Sequence, residues 1–295
     1  MVKKSKNQLF LFAPSDEFSV EESSYYWKGY PLVKKRDIKK NGKLKVVELF
    51  CGCGGTSKGF EMAGFDIILG ADIHVPSAET FHYNHKNSLT LLGDLQKVSS
   101  TEFKDMLSSK KVDVMIAGVP CQGFSLNNRK RNAADKRNFL FKEYMKFVKN
   151  VQPPVAILEN VSGMRSMANG TFVQEIEVAF KKIGYENVQH KILNAADFGV
   201  PQVRMRLVFV ATRKGIDFAW PKETHGQKGK KPYVTVKEAI GDLPKLNSGE
   251  TSDSYDGASI NEYQNFMRKR ATKTTSRTGQ QITKLQHFSR PRKFF

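Results

Sequence analysis

Cysteine is scarce in this chain: Cys51, Cys53 and Cys121 are the only three in 295 residues. An odd, small number argues against a disulfide framework and for a reducing compartment, with a cytoplasmic location as the default. Cys51 and Cys53 form a C-x-C pair with no second pair or histidine cluster beside it, so no structural metal is expected. Long apolar runs are also missing. No stretch approaches a membrane span, and the opening MVKKSKNQ is not followed by a signal-peptide core, so no membrane partner is expected. Acidic residues are in deficit, 29 against 48 Lys and Arg, giving a formal net charge of +19. Such a balance points to a polyanion, because phosphate neutralisation by Lys and Arg drives nucleic-acid affinity.

Residues 1–43 are polar and lysine-rich and read as a basic arm outside the core. From Leu44, short β-branched runs alternate with amphipathic stretches: KVVELF, FDIILGADI, SLTLLGD, VDVMIAGV and VAILENV each precede a helical pattern. This alternation predicts a doubly wound, mostly parallel sheet with helices on both faces over residues 44–220. MRLVFVATR adds a strand, expected to be antiparallel. Beyond Trp220 the regularity fades into an irregular basic extension, 221–295, where TVKEAIGDLP reads as one short helix and NEYQNFMRKR as another.

ELFCGCGGTSKGF leaves a strand and opens a helix. Gly52, Gly54 and Gly55 permit a tight turn and close backbone approach, and the helix amino terminus favours an anionic group. Asp72 ends the second strand about 20 residues on, where a carboxylate can hold ribose hydroxyls. Asp94, at the end of LLGD, can accept from an adenine amino group. No G-x-x-x-x-G-K-[ST] pattern is present, which disfavours a nucleotide triphosphatase. A tight turn closing a β-α unit is the plain alternative, and the register of the two acids favours a nucleoside cofactor.

In AGVPCQGFS, Cys121 follows Pro120 just beyond a buried strand, where a packing thiol has no reason to sit. Glu159 ends the next strand, in ILENV. Ligands gather beyond the carboxyl ends of such strands. A thiolate and a carboxyl group over one crevice suit covalent attack with proton transfer. PQVRMRLVFV adds Gln202, Arg204 and Arg206; in a strand the two arginines share a face and can reach one site.

These stretches in this order, ELFCGCGG, GADI, GDL, GVPCQGFS, RNFLF, ILENV and NAADFGVPQVRMR, resemble the cytosine-C5 DNA methyltransferases. The resemblance runs from about Val46 to Arg213 and implies a Rossmann-like methyltransferase fold and S-adenosylmethionine as methyl donor. It implies that Cys121 attacks C6 of a cytosine flipped out of double-stranded DNA, with Glu159 on the base edge and Arg204 supporting both. Phe50, Gly52, Gly54, Gly55, Asp72, Ile73, Asp94, Pro120 and Leu140 would hold the cofactor. Gln122, Ser125, Asn160, Val161, Gln202 and Arg206 would meet the substrate, with Gly123 and Phe124 in a closing loop. The family's last motifs, an Arg-x-x-Ala helix and Gly-Asn-x-Val, have no match here. A restriction–modification enzyme split over two polypeptides, a truncated product, and a minimal enzyme whose arm replaces the last segment all remain open. So do a tRNA cytosine-C5 methyltransferase and a non-catalytic DNA-binding remnant.

Overall fold

The computed structural model describes residues 10–12, 43–107, 111–120, 140–165, 170–255 and 257–275. They form two compact units: one runs to Leu193 and includes Met205–Trp220, and the other joins Asn194–Arg204 to the residues from Pro221 onward.

The first unit is built on one sheet. Its strands are β1 (Phe10–Phe12), β2 (Lys45–Leu49), β3 (Asp66–Asp72), β4 (Leu89–Leu92), β5 (Val114–Gly118), β6 (Val155–Val161), β7 (Asn187–Asn194) and β8 (Met205–Thr212). Their spatial order is β1-β4-β3-β2-β5-β6-β8-β7. The pairs β4–β3, β3–β2, β2–β5 and β5–β6 are parallel, whereas β8 runs antiparallel to β6 and β1 antiparallel to β4. The doubly wound, mostly parallel architecture expected from the alternating pattern is present, and MRLVFVATR is the antiparallel strand. Two strands were not foreseen. Phe10–Phe12 lies within the stretch read as an arm, and β7 is half-buried along its whole length, which leaves no alternation to detect.

Strand pleating sends neighbouring residues to opposite faces, and each face has its own core. Val46, Ile67, Val114 and Ile116 pack with Phe81 of α2 (Val75–Asn84) and with Phe60 of α1 (Gly55–Met62). Val47, Met115, Ala156 and Leu158 face a larger core, filled by aromatic residues of α3 (Ser100–Met106), α4 (Leu140–Val151) and α5 (Thr171–Lys182). Helices therefore cover both faces. Local signals start them: Ser99 and Glu102 form a capping box on α3, and Pro76 sits in the first turn of α2.

α4 shows how sequence spacing becomes packing. Phe141, Tyr144, Met145 and Val148 recur at helical spacing and are buried. The Tyr144 hydroxyl lies 2.8 Å from the Met115 carbonyl and 2.9 Å from the Ile157 carbonyl, so its one proton ties α4 to two adjacent strands. Tyr144→Phe is expected to lower stability by about 1–2 kcal/mol, read from urea unfolding, since a buried polar contact is lost with little change in volume.

The second unit carries α6 (Val236–Ile240), started by a Thr235–Glu238 capping box, and α7 (Glu262–Thr275). These are the two helices expected in the extension. They are tied by polar contacts: Gln264 and Asn261 side-chain amides donate to the Glu238 carbonyl, and Arg268 pairs with Asp242 at 2.8 Å.

Candidate active site at the carboxyl edge of the sheet

Parallel register aligns the carboxyl ends of the central strands. Leu49 pairs with Ala71 of β3 and Ala117 of β5, and Gly118 pairs with Glu159 of β6. Phe50, Asp72, Gly118 and Glu159 thus line one edge of the first unit.

The loop leaving β2 turns sharply because Phe50, Gly52 and Gly54 take positive φ angles of 55°, 55° and 83°. Glycine adopts these without strain, whereas Phe50 does so against a steric cost of roughly 1–2 kcal/mol. Such strain is tolerated where neighbours over-determine the backbone. Here Cys51 N–H donates to the Ala71 carbonyl at 3.0 Å, and Gly54 N–H to the Cys51 carbonyl at 2.9 Å. Asp72 accepts from Gly52 N–H and from His74 N–H, each at 2.8 Å, one on each carboxylate oxygen. A carboxylate offers about four acceptor positions, of which the described residues fill these two, and hydroxyl donors of a ribose suit the others. Among the described residues, chain neighbours aside, no heavy atom lies within 4 Å of where a Cβ on Gly52 or Gly55 would stand, which leaves room for close approach. These features fit a nucleoside-bearing ligand.

The other residues expected at that ligand are dispersed in role. Asp94 caps the short 3₁₀ turn Leu95–Lys97 by accepting from Gln96 N–H at 3.0 Å. Ile73 is 63% exposed, Pro120 is exposed, and half-buried Leu140 opens α4 against the larger core.

Glu159 occupies the same edge. A Cβ placed on Gly118 would stand 3.6 Å from Glu159 Oε2 and 3.8 Å from the Phe50 carbonyl, so the residue between them separates the carboxylate from the glycine loop. Arg206 Nε lies 2.7 Å from Glu159 Oε1. β8 is antiparallel to β6 and pairs Arg206 with Val161, which puts Arg206, Val161 and Glu159 on one face. Asn160 points to the opposite face, 2% exposed, with its Oδ1 accepting from Val161 N–H at 2.8 Å. β8 begins at Met205, so Arg204 lies outside the pleat, with its N–H donating to Asn194 Oδ1 at 3.1 Å within the second unit. Gln202 also belongs to the second unit and is exposed. Cys121, Gln122, Gly123, Phe124 and Ser125 lie outside the described residues.

Two residues that sequence reading missed hold the loop from below and beside. Glu48, 3% exposed, accepts from Ser57 N–H at 2.9 Å and from the Ser57 hydroxyl, capping a helix whose own N-cap, Gly54, has no side chain to do so. His85 reaches the Gly54 carbonyl with Nε2 at 3.1 Å. No local motif marks either, because the partners meet only through the tertiary fold.

Burial pushes the Glu48 carboxyl up from its ordinary 4.5, while hydrogen bonds from Ser57 and Thr56 and the nearby His85 pull the other way. A carboxyl raised in the folded state lends stability fully below its unfolded value and loses it as pH rises through the folded one. Glu48→Gln does not titrate, so it is expected to gain on the wild type as pH rises above the ordinary carboxyl value of 4.5, measured by urea unfolding. An unchanged difference across that range would overturn the assignment.

Comparison with known proteins gives this edge its context. The model of the family described as C-5 cytosine-specific DNA methylase matches residues 44–293. Type II methyltransferase M1.HphI of Haemophilus parahaemolyticus is 38% identical over 242 residues, covering 80% of this chain and 63% of the relative. Type II methyltransferase M.DdeI of Desulfomicrobium norvegicum is 36% identical over 235 residues, covering 78% and 56% respectively. The chain thus spans less than two thirds of these relatives' own length. It spans 89% of Type II methyltransferase M.AquIA of Picosynechococcus, at 32% identity over 221 residues and 68% of this chain. Among solved structures, a DNA modification methyltransferase candidate encoded within an E. coli prophage superposes with a TM-score of 0.59. It is 28% identical and covers 72% of this chain and 58% of its own. The chain belongs to the C-5 cytosine-specific DNA methylase family.

Proposed function

We propose that this chain is the catalytic portion of a DNA cytosine-C5 methyltransferase of restriction–modification type, with double-stranded DNA and S-adenosylmethionine as substrates. The observation that carries the reading is the placing of Glu159 and the glycine loop on either side of Gly118, three residues before Cys121 in a chain that matches this family.

The target carbon of a stacked base is unreachable, so the cytosine must swing out of the duplex into the site. Cys121, as thiolate, forms an S–C6 bond. Glu159 hydrogen-bonds the base edge and supplies a proton toward N3, so the electron pair displaced from the C5–C6 bond is held in the ring and makes C5 nucleophilic. Glu159 gives that proton from its protonated form, and Arg206 steadies the carboxylate that is left on its strand face. When bound, S-adenosylmethionine supplies the electrophilic methyl group that C5 takes. Loss of the C5 proton then expels the Cys121 thiolate and restores aromaticity. Phe50, Gly52, Gly54, Gly55, Asp72 and Asp94 are the residues assigned to the methyl donor. In this reading Arg204 and Gln202 serve the base, and Gln122 to Ser125 close over the DNA.

The relatives' additional length supports a further requirement: target choice depends on polypeptide beyond the matched stretch. M.AquIA, of which the chain spans 89%, is a relative of similar extent; in this reading a second polypeptide would supply that part.

The test is a duplex carrying 5-fluorocytosine. Fluorine cannot leave as the C5 proton does, so the enzyme is trapped as a covalent adduct that survives denaturing electrophoresis. The adduct is expected with the wild type and absent with Cys121→Ser. An adduct that persists in Cys121→Ser would overturn the assignment of the nucleophile.

A further inference from the structure

His85 caps α2 at its carboxyl end, yet its ring serves another element. The side chain is 1% exposed. Nε2 faces the Gly54 carbonyl at 3.1 Å and Nδ1 faces Glu61 Oε1 at 2.8 Å. A carbonyl and a carboxylate only accept, so a ring nitrogen bonds to either of them only as an N–H donor. The other Glu61 oxygen takes Lys58 Nζ at 2.9 Å. Burial raises the Glu61 carboxyl, but the hydrogen bonds from His85 and Lys58 outweigh it and leave it below its ordinary value. Glu61 is thereby kept as the charged acceptor that orients the ring.

The fit around the ring is close. Phe81 stacks on it with centroids 4.4 Å apart, and a Cβ on Gly54 would collide with both His85 and Phe81. Gly54 is the N-cap of α1 and its carbonyl also accepts from Lys58 N–H at 2.9 Å. One ring therefore fixes the carbonyl at which the loop becomes a helix.

We propose that His85 is a positioning residue for the donor loop. It holds Gly54 from outside the site, with Glu61 setting the ring, so that the Gly52 amide and the first turn of α1 keep the geometry S-adenosylmethionine meets. This rests on the reading of the loop as the methyl-donor site.

The test uses the full chain and two readouts. His85→Phe keeps a ring against Phe81 and removes both hydrogen bonds. Calorimetry with S-adenosylmethionine is expected to show affinity about tenfold weaker, the size of one or two such bonds, while hydrogen exchange without ligand is expected to be faster at the Gly52–Ser57 amides. His85→Gln, which can donate to one acceptor, is expected to recover part of the loss. Glu61→Gln, which leaves the ring in place, is expected to weaken binding about threefold, and it serves if His85→Phe does not fold. Wild-type affinity and unchanged exchange in these variants would overturn the inference. Faster exchange in His85→Phe, with no binding of S-adenosylmethionine by the wild type, would support the brace and sink the donor-site reading instead.

Discussion

Glu159→Gln is expected to slow methyl transfer by roughly 10²- to 10⁴-fold, the usual contribution of a positioned proton donor in a transition state. The substitution keeps the shape of the side chain and a carbonyl oxygen for Arg206, whose Nε sits 2.7 Å from the carboxylate. What disappears is the group that can deliver a proton to the ring while the thiolate adds. The effect should therefore fall on the single-turnover rate with saturating S-adenosylmethionine, and leave donor affinity close to that of the wild type. Asp72, with Gly52 and His74 amides on its two oxygens, is the carboxylate assigned to the donor, and Glu159 lies across Gly118 from that loop. A Glu159→Gln rate within tenfold of the wild type would remove Glu159 from the chemistry. A large loss of donor affinity would instead make it part of the donor site.

The largest effect on stability is expected at Phe81. Its ring is fully buried, fills the smaller of the two cores, and lies where a Cβ on Gly54 or on Gly70 would stand. Neither glycine has a side chain that can move into the space, so truncation leaves a void walled in part by backbone. Phe81→Ala is expected to cost about 3–5 kcal/mol in urea unfolding. Met62, on α1 and 57% exposed, is the control, and Met62→Ala should stay within about 0.5 kcal/mol. Equal losses at the two positions would mean that this face of the sheet is not a packed core. Because Phe81 also stacks on His85, the same variant should loosen the donor loop beyond what a remote core truncation of equal cost would do.

The central strands were legible because a strand buried on both faces must be apolar throughout, and VVEL, DIILGA, VMIAG and VAIL are nearly so. Helices were legible from caps and from apolar spacing, as in α4. The edges were not. β7, NVQHKILN, is half-exposed along its length, and no rule of alternation separates it from a loop. β1 is three residues long within a lysine-rich stretch, and its pairing with β4 is a tertiary event. At the site, Asp72 and Glu159 could be read because strand ends are fixed by the strands that precede them. Arg204 stands at a strand boundary, one residue before Met205, where alternation gives no firm reading of its direction. Glu48 and His85 were beyond reach, since their meaning lies in partners 9 and 31 residues away that only the fold brings near.

Strand order has a consequence for how the molecule is made. β2 is the first strand of the parallel set to leave the ribosome and lies at its middle. β3 and β4 add outward on one side, and only then does β5 dock on the other flank of β2, pairing Val46 with Val114. Chains emerge at about 5–20 residues per second, so the first half of the sheet has several seconds before its complement exists. During that interval the flank of β2 that will receive β5 is an open edge of unpaired backbone N–H and C=O groups, the kind of template on which chains pair wrongly. Glu159 follows later still, at the end of β6. The glycine loop is therefore made first, and the edge it shares with Glu159 is complete only once β6 has emerged.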